Sequence, residues 1–228
     1  MIPIVPEIDE IVDEVSALMS RMIDEFQEMK ASFTDEPQKG ASMIVFILAA
    51  DYYASARDVL KKGRIISGGS LVRTGFENLA DLFYLYDKPD KYPKTYVDSM
   101  QAFKDMMKDV ATKDFQELAE SRQMKQANKW TGATIEDRIK ASGESLLNSY
   151  DLLSYFGHPN PASITYLSNK RLNEAQLNLL KQANCLTALT IMGVVLNHTD
   201  AKSVSMEEID AIGKKLGTKF ISDNKTAI

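Results

Sequence analysis

A chain of 228 residues with 44% hydrophobic side chains can bury one sizeable core. Its longest apolar runs fall short of the roughly 18–20 residues that a membrane-spanning helix requires, so none is expected. The formal charge of −5 and the pI near 5.2 argue against a general nucleic-acid binder, which would carry a basic surplus. The imbalance is local, because residues 1–30 hold eight acidic and two basic side chains while residues 31–228 sum to +1; a basic patch on the body stays open.

The N-terminus, MIPIVPEIDEIVDE, has no positive leader and turns acidic where an export signal would be apolar, so no export is expected. Residues 6–31 place Ile8, Ile11, Val12, Val15, Leu18, Met19, Met22 and Phe26 at helical spacing opposite a run of Glu and Asp, which predicts an acidic amphipathic helix. Its charged face reads as solvated surface or as a docking face for a basic partner. SFTDEPQKG interrupts the pattern. A second helix over 41–62 is apolar nearly all round in MIVFILAA and should lie deep in the core. Asp51 leaves that segment in want of a partner, and Arg73 on the next helix is one.

KKGRIISGGS reads as a glycine-rich turn with Ser67 or Ser70 as the cap of the next helix. A turn of that kind can hold phosphate, although this spacing fits neither a P-loop nor a dinucleotide fingerprint. The helix it opens, LVRTGFENLADLFYLYD over 71–87, is the centre of the chain. Val72, Phe76, Leu79 and Phe83 form one apolar stripe, and Arg73, Glu77, Asp81 and Tyr84 form a separate polar ridge. Arg73 and Glu77 stand four apart, within reach of a charge-assisted hydrogen bond in the weaker order.

A long amphipathic stretch over 92–129 follows, with a break near residues 112–113. Its methionines suit a core face or an adaptable groove. Trp130 reads as an anchor for the next connection or as a stacking platform, and Thr134 with Asp137 three residues on reads as a helix cap. In LLNSYDLLSYFGHP, Tyr150, Ser154 and His158 fall on one side of a helix that Gly157 and Pro159 must end. His158 is either a C-terminal cap or the imidazole end of a hydroxyl row that could hold or deprotonate a ligand. A final long helix over 173–198 carries the single cysteine, Cys185, which reads as a small buried side chain in a reducing compartment. His198 caps its end near Asp200, and a short amphipathic helix closes the chain.

The succession RTGFENLADLFYLYDKPDKY, NKW and SYDLLSYFGHPNPAS resembles an uncharacterised all-helical microbial family, domain of unknown function 5677. Its members pair an R-x-x-x-E helix with a later Y-x-x-x-S-x-x-x-H-P segment. The resemblance covers roughly residues 51–162 and implies a helical fold and a place to look. That place is Arg73 and Glu77 from the first motif, with Tyr150, Ser154 and His158 from the second. It implies no reaction. The R-x4–6-H spacing of helical nucleases from defence systems is absent, which argues against a nuclease.

These readings predict an all-α chain forming a single domain over 1–228, a bundle of about six to eight helices. Residues 1–31 form the acidic helix, 41–198 the core and 205–222 a short C-terminal helix. The expected role is cytoplasmic and binding or regulatory, with a polar pocket around Arg73, Glu77 and His158. Tyr150, Ser154, Asp51 and Asp81 join them as ligand-binding residues for a small anionic ligand, or the surface meets a protein partner. No cofactor, metal or membrane is called for, and self-association stays open. Two alternatives stand beside this: a hydrolase acting on a phosphodiester or nucleotide with His158 as general acid–base, and a phage- or plasmid-associated defence or counter-defence factor that occludes a partner.

Overall fold

The computed structural model describes residues 7–29, 36–107, 133–141, 143–157 and 170–217. Among them run eight α-helices and no strand: α1 (Ile8–Glu28), α2 (Pro37–Lys61), α3 (Ile65–Asp87), α4 (Tyr92–Met107), α5 (Ile135–Ala141), α6 (Glu144–Gly157), α7 (Lys170–His198) and α8 (Met206–Lys215). The all-α class read from the periodicity is the one the chain adopts. His158, Trp130, the break expected near 112–113 and the loop following Pro159 lie outside the described residues.

Local chemistry accounts for most of the boundaries. The apolar stripe of α1 is buried from Ile8 to Phe26, with Asp9 and Glu10 at its positive end. Helix α2 begins at Pro37 rather than at residue 41, because proline in the first turn sacrifices no helical hydrogen bond. Thr134 caps α5 as expected: the Asp137 N–H donates to Thr134 Oγ1 at 3.2 Å, and the Thr134 N–H donates to the Asp137 carboxylate at 3.2 Å. Ser205 and Glu208 make the same reciprocal box at α8.

The segment before the central ridge corrects the sequence reading. The expected glycine turn is helical from Ile65 onward, with Arg64 preceding it and no side-chain cap at Ser67 or Ser70. Gly63, at φ +72°, makes the turn instead. Gly68 and Gly69 are buried inside α3, where an added Cβ would stand 2.4 Å from Leu60 Cδ2 and 2.4 Å from Phe156 Cβ respectively. The Gly68 N–H donates to the Arg64 carbonyl at 2.9 Å. These glycines serve close helix approach, and the amide that a phosphate would need is committed to the helix.

Helix α3 packs against α2, α4, α5, α6 and α7. Val72, Phe76 and Leu79 are buried along its apolar stripe and Phe83 is half-buried. On α2, Phe46 is enclosed and meets Phe26 edge-on at 5.3 Å, while Ile47 departs from the expected all-round burial at 45% exposure. Residues Asn173–His198 are long and apolar enough to cross a membrane, with mean hydropathy 1.5, which corrects the expectation that no stretch reaches that length. In the bundle 61% of that apolar window is buried, and α7 packs on α1, α2, α3 and α8. Cys185 is enclosed there, with burial pushing its thiol up to about 12. Helix α7 ends at His198, as read from the sequence, and the His198 ring stacks on Tyr86 with centroids 3.7 Å apart, while Asp200 takes the Lys39 ammonium at 2.6 Å.

Several charges on α1 bond within the chain. Asp9 takes Lys181 of α7, Glu14 takes Lys215 of α8, and Arg21 donates to Glu208, each at 2.6 Å. Glu25 accepts the N–H groups of Lys202 and Ser203 at 2.7 and 2.9 Å. Exposed pairs contribute about 0–1 kcal/mol each, so their part is to set how α1 lies on α7 and α8, while the stripe supplies most of the stabilisation.

Candidate functional site

The polar ridge of α3 is built as the helical period requires, and the tertiary fold closes helix α6 over its first half. Arg73 Nε stands 3.1 Å from Glu77 Oε1 along α3. The Arg73 Nη2 donates to the Tyr150 hydroxyl of α6 at 2.6 Å, and that hydroxyl donates to Glu77 Oε1 at 3.2 Å. Three groups thereby form a closed ring, with the guanidinium carbon 5.0 Å from the centre of the Tyr150 ring. Arg73 and Glu77 are 21% and 27% exposed, so the ring is sheltered yet open to solvent on one side. Burial raises the Tyr150 hydroxyl above its usual value against the pull of Arg73, so it remains a phenol and keeps its proton for Glu77.

One turn further along, Asp81 accepts from Arg138 Nε of α5 at 2.6 Å, and Arg138 Nη1 also donates to the Ala133 carbonyl at 3.0 Å. The pair is 15% and 17% exposed. Burial pushes the Asp81 carboxyl up to about 6; Arg138 opposes that rise and the charge of Glu77 adds to it. Beyond it Tyr84 hydrogen-bonds Tyr92 of α4 at 3.0 Å, the rings stacked at 4.5 Å. From one end to the other the ridge is a row of polar contacts, charge-assisted toward α5 and α6 and a neutral phenol pair toward α4, holding those helices against α3.

The structure therefore brings Arg73, Glu77 and Tyr150 together and sets Asp81 beside them. Ser154 lies one turn beyond Tyr150, but its hydroxyl donates back to the Tyr150 carbonyl at 2.8 Å, as helical serines often do. Asp51 is exposed on α2, and the Arg73 it was expected to meet is engaged by Glu77 and Tyr150. An intrahelical partner four residues away costs less chain ordering than one on another helix, and the Asp51 carboxylate is exposed, so it needs no buried partner. Whether His158 joins the ring is outside the described residues. Arg138 is the residue that sequence reasoning missed. Its signal was present: Ile135, Arg138 and Ile139 share one face of α5, and an arginine on an apolar face needs a buried acid.

The ring is a ledge between helices, and two cavities of about 440 Å³ open elsewhere. One is an apolar groove among α3, α6 and α7, walled by Phe76, Phe83, Leu152 and Phe156. Another is a charged hollow among α1, α2 and α7. No group of three or more His, Cys, Asp or Glu side chains is placed to hold a metal among the described residues.

What the ring contributes to stability can be measured directly. Tyr150→Phe removes one hydroxyl that serves both as acceptor and donor, and is expected to lower unfolding free energy by about 1–2 kcal/mol in urea titration. Arg73→Gln in the same background should then cost less than it does alone, since the two act through one network.

The model for a family of unknown function (DUF5677) matches residues 41–176, more than half of the chain, and the chain belongs to that family. The matched span runs from the second turn of α2 to the start of α7 and holds Arg73, Glu77, Asp81, Arg138 and Tyr150. No curated protein and no solved structure matches the chain.

Proposed function

We propose that this member of the family is a binding protein with a regulatory role, and that its site for a small anionic ligand is the ledge formed by Arg73, Glu77 and Tyr150. The observation that carries the reading is the state of Arg73. Its guanidinium is held in place by two partners on two helices and still keeps about a fifth of its side-chain surface open. A cation fixed in advance loses little freedom when an anion arrives, which favours recognition of carboxylate or phosphate over a mobile surface arginine. Tyr150 adds a donor that a ligand oxygen could share, and Glu77 is the internal acceptor that an incoming anion would replace. Cys185, enclosed with its thiol kept protonated, agrees with a reducing cytoplasmic setting.

A thermal-shift screen against nucleotides, phosphate esters and small carboxylates tests this reading. The expected result is a saturable rise in Tm with one class of anion that is absent in Arg73→Gln. Silence across the whole panel ends the ligand version.

A second reading, hydrolysis of a phosphodiester or nucleotide, draws support from Asp81, whose carboxyl exchanges its proton near pH 6 one turn from Glu77. In that mechanism His158 is the general acid–base, Arg73 steadies negative charge in the transition state, and Tyr150 or Ser154 positions water. Incubation with RNA, DNA and nucleotides beside His158→Ala decides it: a rate lost in the variant supports the reading, and equal rates remove it.

A further inference from the structure

We propose that the hollow between α1, α2 and α7 is a second binding site, one that takes a small zwitterion of the free amino-acid class. At about 440 Å³ it lies in the size range of small-molecule pockets. Its walls hold three cations, Arg57, Lys61 and Lys181, and three carboxylates, Asp9, Asp13 and Asp58. Two pairs are already made inside it, Lys181 with Asp9 at 2.6 Å and Arg57 with Asp58 at 2.9 Å. Lys61 and Asp13 line the same hollow from different helices and form no ion pair, with each other or with any described residue.

The floor supplies a further group. Asn184 is 95% enclosed, and its amide nitrogen donates to the Tyr53 carbonyl at 3.2 Å. That fixes the orientation of the amide and leaves its carbonyl oxygen as an acceptor without a partner among the described residues. That oxygen is not one of the fully enclosed unpartnered polar atoms of the described residues, so it is reached from the hollow and can accept from a ligand that enters it. Val12 and Leu60 complete the lining with apolar surface.

A ligand that completes this set must bring both signs of charge. Its ammonium would meet Asp13 and the Asn184 oxygen, its carboxylate would meet Lys61 with Arg57 beside it, and a small side chain would rest on Val12 and Leu60. A simple anion would leave Asp13 unpaired, and a simple cation would leave Lys61 unpaired. The hollow carries no net charge, which suits a ligand that carries none.

The test is a calorimetric and thermal-shift titration of the full chain with a panel of free amino acids, with N-acetyl and carboxamide derivatives of any binder as single-ended controls. The expected result is saturable binding of one or more free amino acids, at least tenfold weaker for both derivatives. Asp13→Asn and Lys61→Gln, two exposed positions that leave the core untouched, should each weaken it at least tenfold, while Arg73→Gln should leave it unchanged. No saturable response across the panel overturns the proposal. So does binding that survives both Asp13→Asn and Lys61→Gln, or a derivative that binds as well as its parent. Loss in Arg73→Gln alone would assign the binding to the ledge on α3 and overturn the second site.

Discussion

Replacing Arg138 by alanine is expected to destabilise the fold at neutral pH by an amount approaching the roughly 3–5 kcal/mol for removing one partner of a fully buried ion pair, since this pair is largely sheltered. The loss comes mainly from what remains. Asp81, 17% exposed, would keep a carboxylate whose close counter-charge at 2.6 Å has gone. Its carboxyl already sits at about 6 instead of 3.8, so folding favours the protonated form. That contribution is fully present below about 3.8 and is lost as pH rises through about 6. Without Arg138 the folded value moves higher still. The deficit of Arg138→Ala should therefore be largest above about pH 6 and narrow on acidification, read as the difference between urea midpoints of variant and parent at each pH. A deficit independent of pH would assign the effect to lost packing and to the bond with the Ala133 carbonyl. Replacing both partners by leucine should recover most of the stability, because an apolar pair of similar volume has no charge to desolvate.

Gly69→Ala should be nearly as damaging, and for a reason that helix propensity would get backwards. Alanine is preferred to glycine inside a helix by about 1 kcal/mol. Here its Cβ would stand 2.4 Å from Phe156 Cβ and 3.4 Å from the Phe156 Cα and carbonyl carbon, so α6 itself must move away from α3. Overpacking of that kind costs about 1–3 kcal/mol or more. Gly68→Ala is the comparison, since the atoms it meets, Cδ2 at 2.4 Å and Cγ at 2.7 Å, belong to the buried Leu60 side chain and none to a backbone. It should cost less than Gly69→Ala, because a side chain gives way more readily than a helix backbone and the gain in propensity, about 1 kcal/mol, offsets part of the crowding. The movement of α6 also reaches the ledge, because Tyr150 rides on that helix. In a Gly69→Ala background Tyr150→Phe should cost almost nothing, and an undiminished cost would show that α6 had stayed in place.

Much of this chemistry is legible along single helices. The ridge of Arg73, Glu77, Asp81 and Tyr84, the cap at Thr134 and the burial of Cys185 all follow from spacing along one helix or from the apolar company a residue keeps. Gly68 and Gly69 were misread because a pair of glycines has the same local signature in a turn and at a close helix crossing. The expected pairing of Asp51 with Arg73 does not form, because an acid at the edge of an apolar run looks needy until the fold exposes it. The charges of α1 were visible as charges, while their partners, Lys181, Lys215 and the amides of residues 202 and 203, are more than 170 positions away in the sequence.

By itself the sequence determined the helices and which face of each is apolar, since a 3.6-residue period and the transfer of apolar surface from water act residue by residue along a segment. Only the tertiary structure decided that Tyr150 closes the Arg73–Glu77 pair into a ring, that Arg138 answers Asp81, and that Lys61, Asp13 and Asn184 share a hollow. Those facts depend on how helices cross. Crossings are set by the summed packing of many side chains on several helices at once, and the pattern along any one helix leaves that sum undetermined.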